Sequence, residues 1–275
     1  SKKQRTRKTF SVEPWTGSGQ GEKLCIYGGA GVGKTTLAAM APDPRFIGVD
    51  DGGRKIRDPR TDEPILHIAG VDSFEDARDA LHQTDLFPKG STCVVDTLTV
   101  LEVLAEAYMF GNILHEKGGT VTSIEGYGYG KGYTHLFETM RLILQDCDGL
   151  IRRGVNVILI CQRAAIKRAN PGGVDFLQDG PKLSHPTSEK NSIRLHVCEW
   201  ADHVVRIDYY DVKIEAEKGA KVVKIVGKTT RAIFTMPEPH YFAKTRTLTD
   251  PVVAFSDPTD DSLWRLLFPE QYTDV

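Results

Sequence analysis

Eight consecutive residues, Gly28-Gly29-Ala30-Gly31-Val32-Gly33-Lys34-Thr35, hold the sequence's clearest chemistry. They fit the G-x-x-x-x-G-K-[ST] pattern of a phosphate-binding P-loop. Glycines free the backbone to turn its N–H groups toward phosphate oxygens, and a helix beginning at the lysine adds a favourable dipole. Lys34 is expected to reach the β- and γ-phosphates of a bound nucleotide, and Thr35 to offer its hydroxyl to Mg²⁺. Thr36 follows them in the same cradle. The flanks agree: an apolar run over 23–27 predicts the preceding strand, and Thr36-Leu37-Ala38-Ala39-Met40 a helix start.

Hydrolysis needs further groups at the same sheet edge. Thr92-Cys93-Val94-Val95-Asp96 is apolar until its last residue, as in a strand covered on both faces. Asp96 at its end is expected to hold Mg²⁺ through a water molecule. Asn156 to Cys161 is another such strand, ending in Gln162, whose amide could sense the γ-phosphate or orient water; the alternative is an ordinary polar strand end. The strand over 45–50 ends in Asp50-Asp51-Gly52-Gly53, either ligand-facing acids or turn chemistry.

Two further stretches are long and glycine-bearing. Residues 111–132 contain seven glycines with Tyr127, Tyr129 and Lys131. Residues 163–200 read as a long irregular region opening with Arg163, Lys167 and Arg168. A loop as long as the first is usually functional or mobile, the alternative being a simple excursion. In the second, basic residues near flexible glycines and an occasional aromatic suit a single-stranded groove, the alternative being a solvated loop.

Helical periodicity over 73–81, 97–110 and 133–151 alternates with the strands, which implies a mostly parallel sheet with helices on both faces. Ser73 opens the first of these helices as a cap. From Ala201 the pattern changes to period two, predicting an antiparallel C-terminal β extension, with further strand candidates at 231–235 and 240–243. The 275 residues divide into a basic arm (1–20, with Lys2, Lys3, Arg5, Arg7 and Lys8), an α/β core (21–250) and a tail (251–275) with a short amphipathic helix expected to dock. A net charge of −2 gives no global attraction for nucleic acid. No run is long and apolar enough for a membrane span, and no signal-peptide core is apparent. Five scattered cysteines, with no C-x-x-C pair, suit the core of a cytosolic protein.

With these residues in view, the chain resembles the RecA-like P-loop ATPases. More narrowly, it resembles phage-encoded, AAA-type nucleotide-binding proteins of single-strand annealing and recombination. The resemblance rests on the P-loop, Asp50-Asp51-Gly52-Gly53, Val94-Val95-Asp96-Thr97, Tyr129-Gly130-Lys131-Gly132-Tyr133, the strand ending in Gln162, and Ala243-Lys244-Thr245-Arg246. It implies ATP held between neighbouring subunits of a ring or filament. Lys244 and Arg246 would be lent to the next subunit's site, and the two loops would contact single-stranded DNA. A single-strand-binding protein would be a further partner, and the cytoplasm of a bacterial host the location. It also implies a catalytic Glu beyond the second strand, where this chain has Asp50 and Asp51; either Asp51 substitutes or turnover is slow. The alternatives are an ATP-switched adaptor or loader with little DNA affinity, and a helicase-type motor.

Overall fold

The computed structural model describes residues 9–12, 14, 16–17, 19–49, 51–170, 172–210, 212–215, 224–227 and 230–272. The basic cluster at 2–8 lies outside them. In chain order the elements are β1 (Lys23–Gly28), α1 (Lys34–Ala39), β2 (Pro44–Gly48), α2 (Phe74–His82), β3 (Thr92–Asp96), α3 (Leu98–Asn112), α4 (Lys131–Arg152), β4 (Asn156–Arg168), β5 (Phe176–Pro181), α5 (Ile193–Trp200), β6 (His203–Tyr209), β7 (Val212–Glu215), β8 (Lys224–Gly227), β9 (Arg231–Phe234), β10 (Val252–Phe255) and α6 (Ser262–Leu267).

The main sheet runs β10-β9-β6-β1-β4-β3-β2. β2, β3, β4, β1 and β6 are mutually parallel, while β9 and β10 add on antiparallel. The expected α/β architecture, a mostly parallel sheet with antiparallel strands toward the C-terminus, is what the structure shows. One detail differs: β6 was expected within the antiparallel extension, but it pairs parallel with β1.

The near-continuous apolar strands have partners on both faces. On β1, Cys25 and Tyr27 enter the core formed with α2, α3, α4 and α5. Leu24 and Ile26 enter the opposite core, formed with α1 and α6. All five cysteines are buried and free. Ser73 caps α2 as expected, its Oγ accepting from the Asp76 amide at 3.1 Å. Among the described residues, no helix is long and apolar enough to cross a membrane.

The segment read as irregular over 163–200 is corrected. β4 continues past the sheet to Arg168 and pairs antiparallel with β5, forming a hairpin; α5 then follows. Past Cys161 the burial gives way to exposed and half-buried positions, as in a ribbon leaving the body. The stretch after residue 250 is also more integrated than a tail, because Val252–Phe255 forms the sheet's edge strand.

The docking of α6 has a definite anchor. Trp264 is fully buried and donates its indole N–H to the Leu37 carbonyl of α1 at 2.8 Å. Trp264→Ala should cost about 3–5 kcal/mol through the cavity and the lost indole hydrogen bond, although the Leu37 carbonyl still accepts from the Met40 amide at 3.1 Å. Urea denaturation checks this, and a loss below about 1 kcal/mol would show α6 to be dispensable to the core.

Candidate functional site

The P-loop leaves β1 at Gly28 and enters α1 at Lys34. Gly31 and Gly33 lie at φ +72° and +99°, a conformation that side-chain-bearing residues rarely adopt. Lys34 folds back over the loop, donating from Nζ to the carbonyls of Gly29 at 2.7 Å and Gly28 at 3.2 Å. Burial lowers its pKa, while the nearby charge of Asp96 opposes that shift.

Across the sheet, β4 lies between β1 and β3, so Asp96 stands two strands from the loop. The Thr35 hydroxyl nevertheless donates to Asp96 Oδ2 at 2.8 Å. Asp96 is 6% exposed. Two oxygen ligands beside a phosphate cradle suit magnesium, which takes few protein ligands and keeps phosphate and water oxygens for the rest. Among the described residues there is no cluster of three or more His, Cys, Asp or Glu side chains suited to a metal.

Gln162 pairs in register with Gly28, at the same sheet edge as the loop. Its backbone N–H donates to Thr99 Oγ1 at 3.0 Å, and Lys182 Nζ approaches its side-chain Oε1 at 3.5 Å. Thr99 Oγ1 donates in turn to the Lys182 carbonyl, so the start of α3, Gln162 and the residue after β5 form one unit. Nearby on α3, Glu102 accepts from the Ser184 amide at 2.8 Å. Burial pushes its carboxyl up to about 7.

The AAA domain family matches this chain over residues 20–247. The chain belongs to that family. Similar solved structures include the RadB recombinase, 12% identical, with 78% of this chain and 80% of that chain covered and a TM-score of 0.37. Another is a KaiC-like protein from the hyperthermophilic archaeon Pyrococcus horikoshii, 14% identical, with 86% and 90% covered and a TM-score of 0.40. No curated protein matches.

Within this AAA-domain chain Thr35 and Asp96 are joined by their hydrogen bond, and Gln162 lies beside Gly28 in register. Asp50 and the side chain of Asp51 lie outside the described residues. A cavity of about 370 Å³ lies on the β2 side of Asp96, walled by Gly48, Gly53, Arg54 and His67 over an apolar floor.

Lys244 and Arg246 are not brought to the loop. Lys244 bridges Val204, near the start of β6, whereas Gly28 pairs with Ile207 farther along that strand. The Lys244 ammonium donates to the carbonyls of Cys198, Glu199 and Ala201, capping the end of α5. Burial lowers its pKa, with the Arg246 charge adding to the effect. Arg246 pairs with Asp202 at 2.8 Å.

Tyr127 is corrected from a stacking surface to a core residue. It is 4% exposed, and its hydroxyl donates to the carbonyls of Met109 and Ile113. Tyr129, two residues on, is fully exposed. Lys131 pairs with Glu116. The hairpin cations are also matched by carboxylates: Arg163 with Asp208 and Asp179, Lys167 with Asp175, and Arg168 with Glu189. Sequence reasoning missed Arg231, which donates to the Val32 carbonyl of the loop at 3.2 Å. Within its apolar strand it carries no motif that would mark it.

Proposed function

We propose that this chain is a magnesium-dependent ATPase whose nucleotide site is coupled to single-stranded DNA, in phage recombination, annealing or repair. The observation that carries the ATPase reading is the Thr35–Asp96 hydrogen bond beside the folded-back Lys34. It joins the hydroxyl and the carboxylate that would hold magnesium, one residue along from the lysine that would meet the β- and γ-phosphates. Magnesium, when bound, supplies positive charge against the phosphate oxygens. The chain's own part is to cradle the triphosphate with loop amides, to place Lys34 against the developing charge, and to hold Gln162 at the edge where water would attack.

What supports the DNA reading is continuity. The β4–β5 hairpin grows directly from Gln162 and carries Arg163, Lys167 and Arg168 past the sheet edge. A change at the nucleotide would reach the hairpin through that single strand. In a ring or filament of copies, Arg246, 60% exposed on its side chain, is the better placed of the two proposed trans cations, since Lys244 already serves three carbonyls.

Single-stranded oligonucleotides are expected to raise ATP turnover several-fold, and their binding to weaken steeply between low and moderate salt as phosphate contacts lose counterion release. The paired cations favour a second reading, an ATP-switched adaptor for a protein partner, because each contact to phosphate would first have to displace a carboxylate. Turnover and assembly unchanged by DNA of any length would reject the first reading in favour of the second.

A further inference from the structure

The P-loop has a neighbour on the side away from Asp96. Arg231, the first residue of β9, lays its guanidinium over the ring of Phe255, the last residue of β10, with its central carbon 4.6 Å from the ring centroid. Its edge donates to the Val32 carbonyl. Phe255 is wholly buried, whereas Arg231 is half-buried. Gly33 permits this fit: a Cβ there would stand 2.5 Å from Arg231 Nη1 and 2.9 Å from Phe255 Cε1. Among the described residues no carboxylate pairs with Arg231, unlike the hairpin cations. A planar cation therefore rests on a fixed aromatic floor, with its edge on the loop.

The sheet order says which part of a nucleotide it meets. From β1, one direction leads through β4 to Asp96 on β3; the other leads through β6 to β9 and β10. Lys34, Thr35 and Asp96 mark the β,γ-phosphate end. A phosphate chain is linear, so its nucleoside leaves toward β9 and β10. We propose that Arg231 forms the nucleoside end of the site, its guanidinium stacking on the base of the bound nucleotide while Phe255 backs it from the opposite face. This inference rests on the nucleotide reading above. A guanidinium plane suits such stacking because it is delocalised and weakly hydrated. It senses the flatness of a base rather than its hydrogen-bonding edge, so ATP and GTP depend on it alike.

The test compares ATP, GTP and inorganic tripolyphosphate as calorimetric ligands of the full chain with Mg²⁺. Arg231→Ala should weaken ATP and GTP by about tenfold, a typical yield for a desolvated cation–π stack. Tripolyphosphate, which lacks a base, should change by less than about twofold. Arg231→Lys, which keeps the charge and loses the plane, should show the same split and serves if the alanine variant fails to fold. ATP binding that is unchanged, or lost in equal measure with tripolyphosphate, would overturn the inference while leaving the nucleotide reading intact. Wild-type protein binding none of the three ligands would overturn both.

Discussion

Lys34→Ala is expected to lower ATP turnover by about 10²–10³-fold, the range typical of removing one preorganised charge stabiliser from a phosphoryl-transfer site. In this structure Lys34 has two tasks. It ties the loop closed on the carbonyls of Gly28 and Gly29, and it stores a positive charge beside Asp96. An arriving triphosphate offers oxygens in place of those carbonyls, so the ammonium exchanges partners rather than being desolvated afresh. The alanine variant loses both the tie and the charge. Nucleotide affinity should therefore fall together with turnover, while the melting temperature stays close to wild type because Lys34 contributes no apolar core packing. Phosphate release and nucleotide titration on the same preparation check this; turnover within threefold of wild type would remove Lys34 from the chemistry.

Asp96→Asn should separate binding from turnover. The amide oxygen can still accept from Thr35 Oγ1, so the local shape survives. What disappears is the negative charge available to a divalent cation. Turnover is expected to fall by about 10²-fold. Metal-free nucleotide binding should persist, and the magnesium concentration for half-maximal activity should rise. A magnesium titration of wild type and variant reads this directly. An unchanged magnesium dependence would mean that Asp96 holds the loop through Thr35 and takes no part in metal binding.

Both expectations draw on information of different range. The P-loop was legible because its demands are local: glycines that can take positive φ, a lysine and a threonine at adjoining positions, and an apolar strand before a helix. The Ser73 cap was legible for the same reason, a side chain reaching an amide three residues on. Asp96 could be picked out as the polar end of an otherwise apolar strand. The alternation of strands and helices was enough for a mostly parallel sheet, because continuous apolar runs need cover on both faces.

The tertiary structure decided what depends on strand order and register. It placed β4 between β1 and β3 and still joined Thr35 to Asp96. It turned a stretch that reads as loop into a hairpin, since pairing with Phe176–Pro181 is invisible from the alternation of either strand alone. It buried Tyr127 and exposed Tyr129, although both stand between glycines in the same segment. It supplied carboxylates to the hairpin cations from residues as distant as Asp208. It also set Arg231 against Val32, 199 positions earlier in the chain. Local sequence specifies which backbone shapes a segment tolerates; which distant side chain then faces it follows only once both cores have closed and the strands have taken their places.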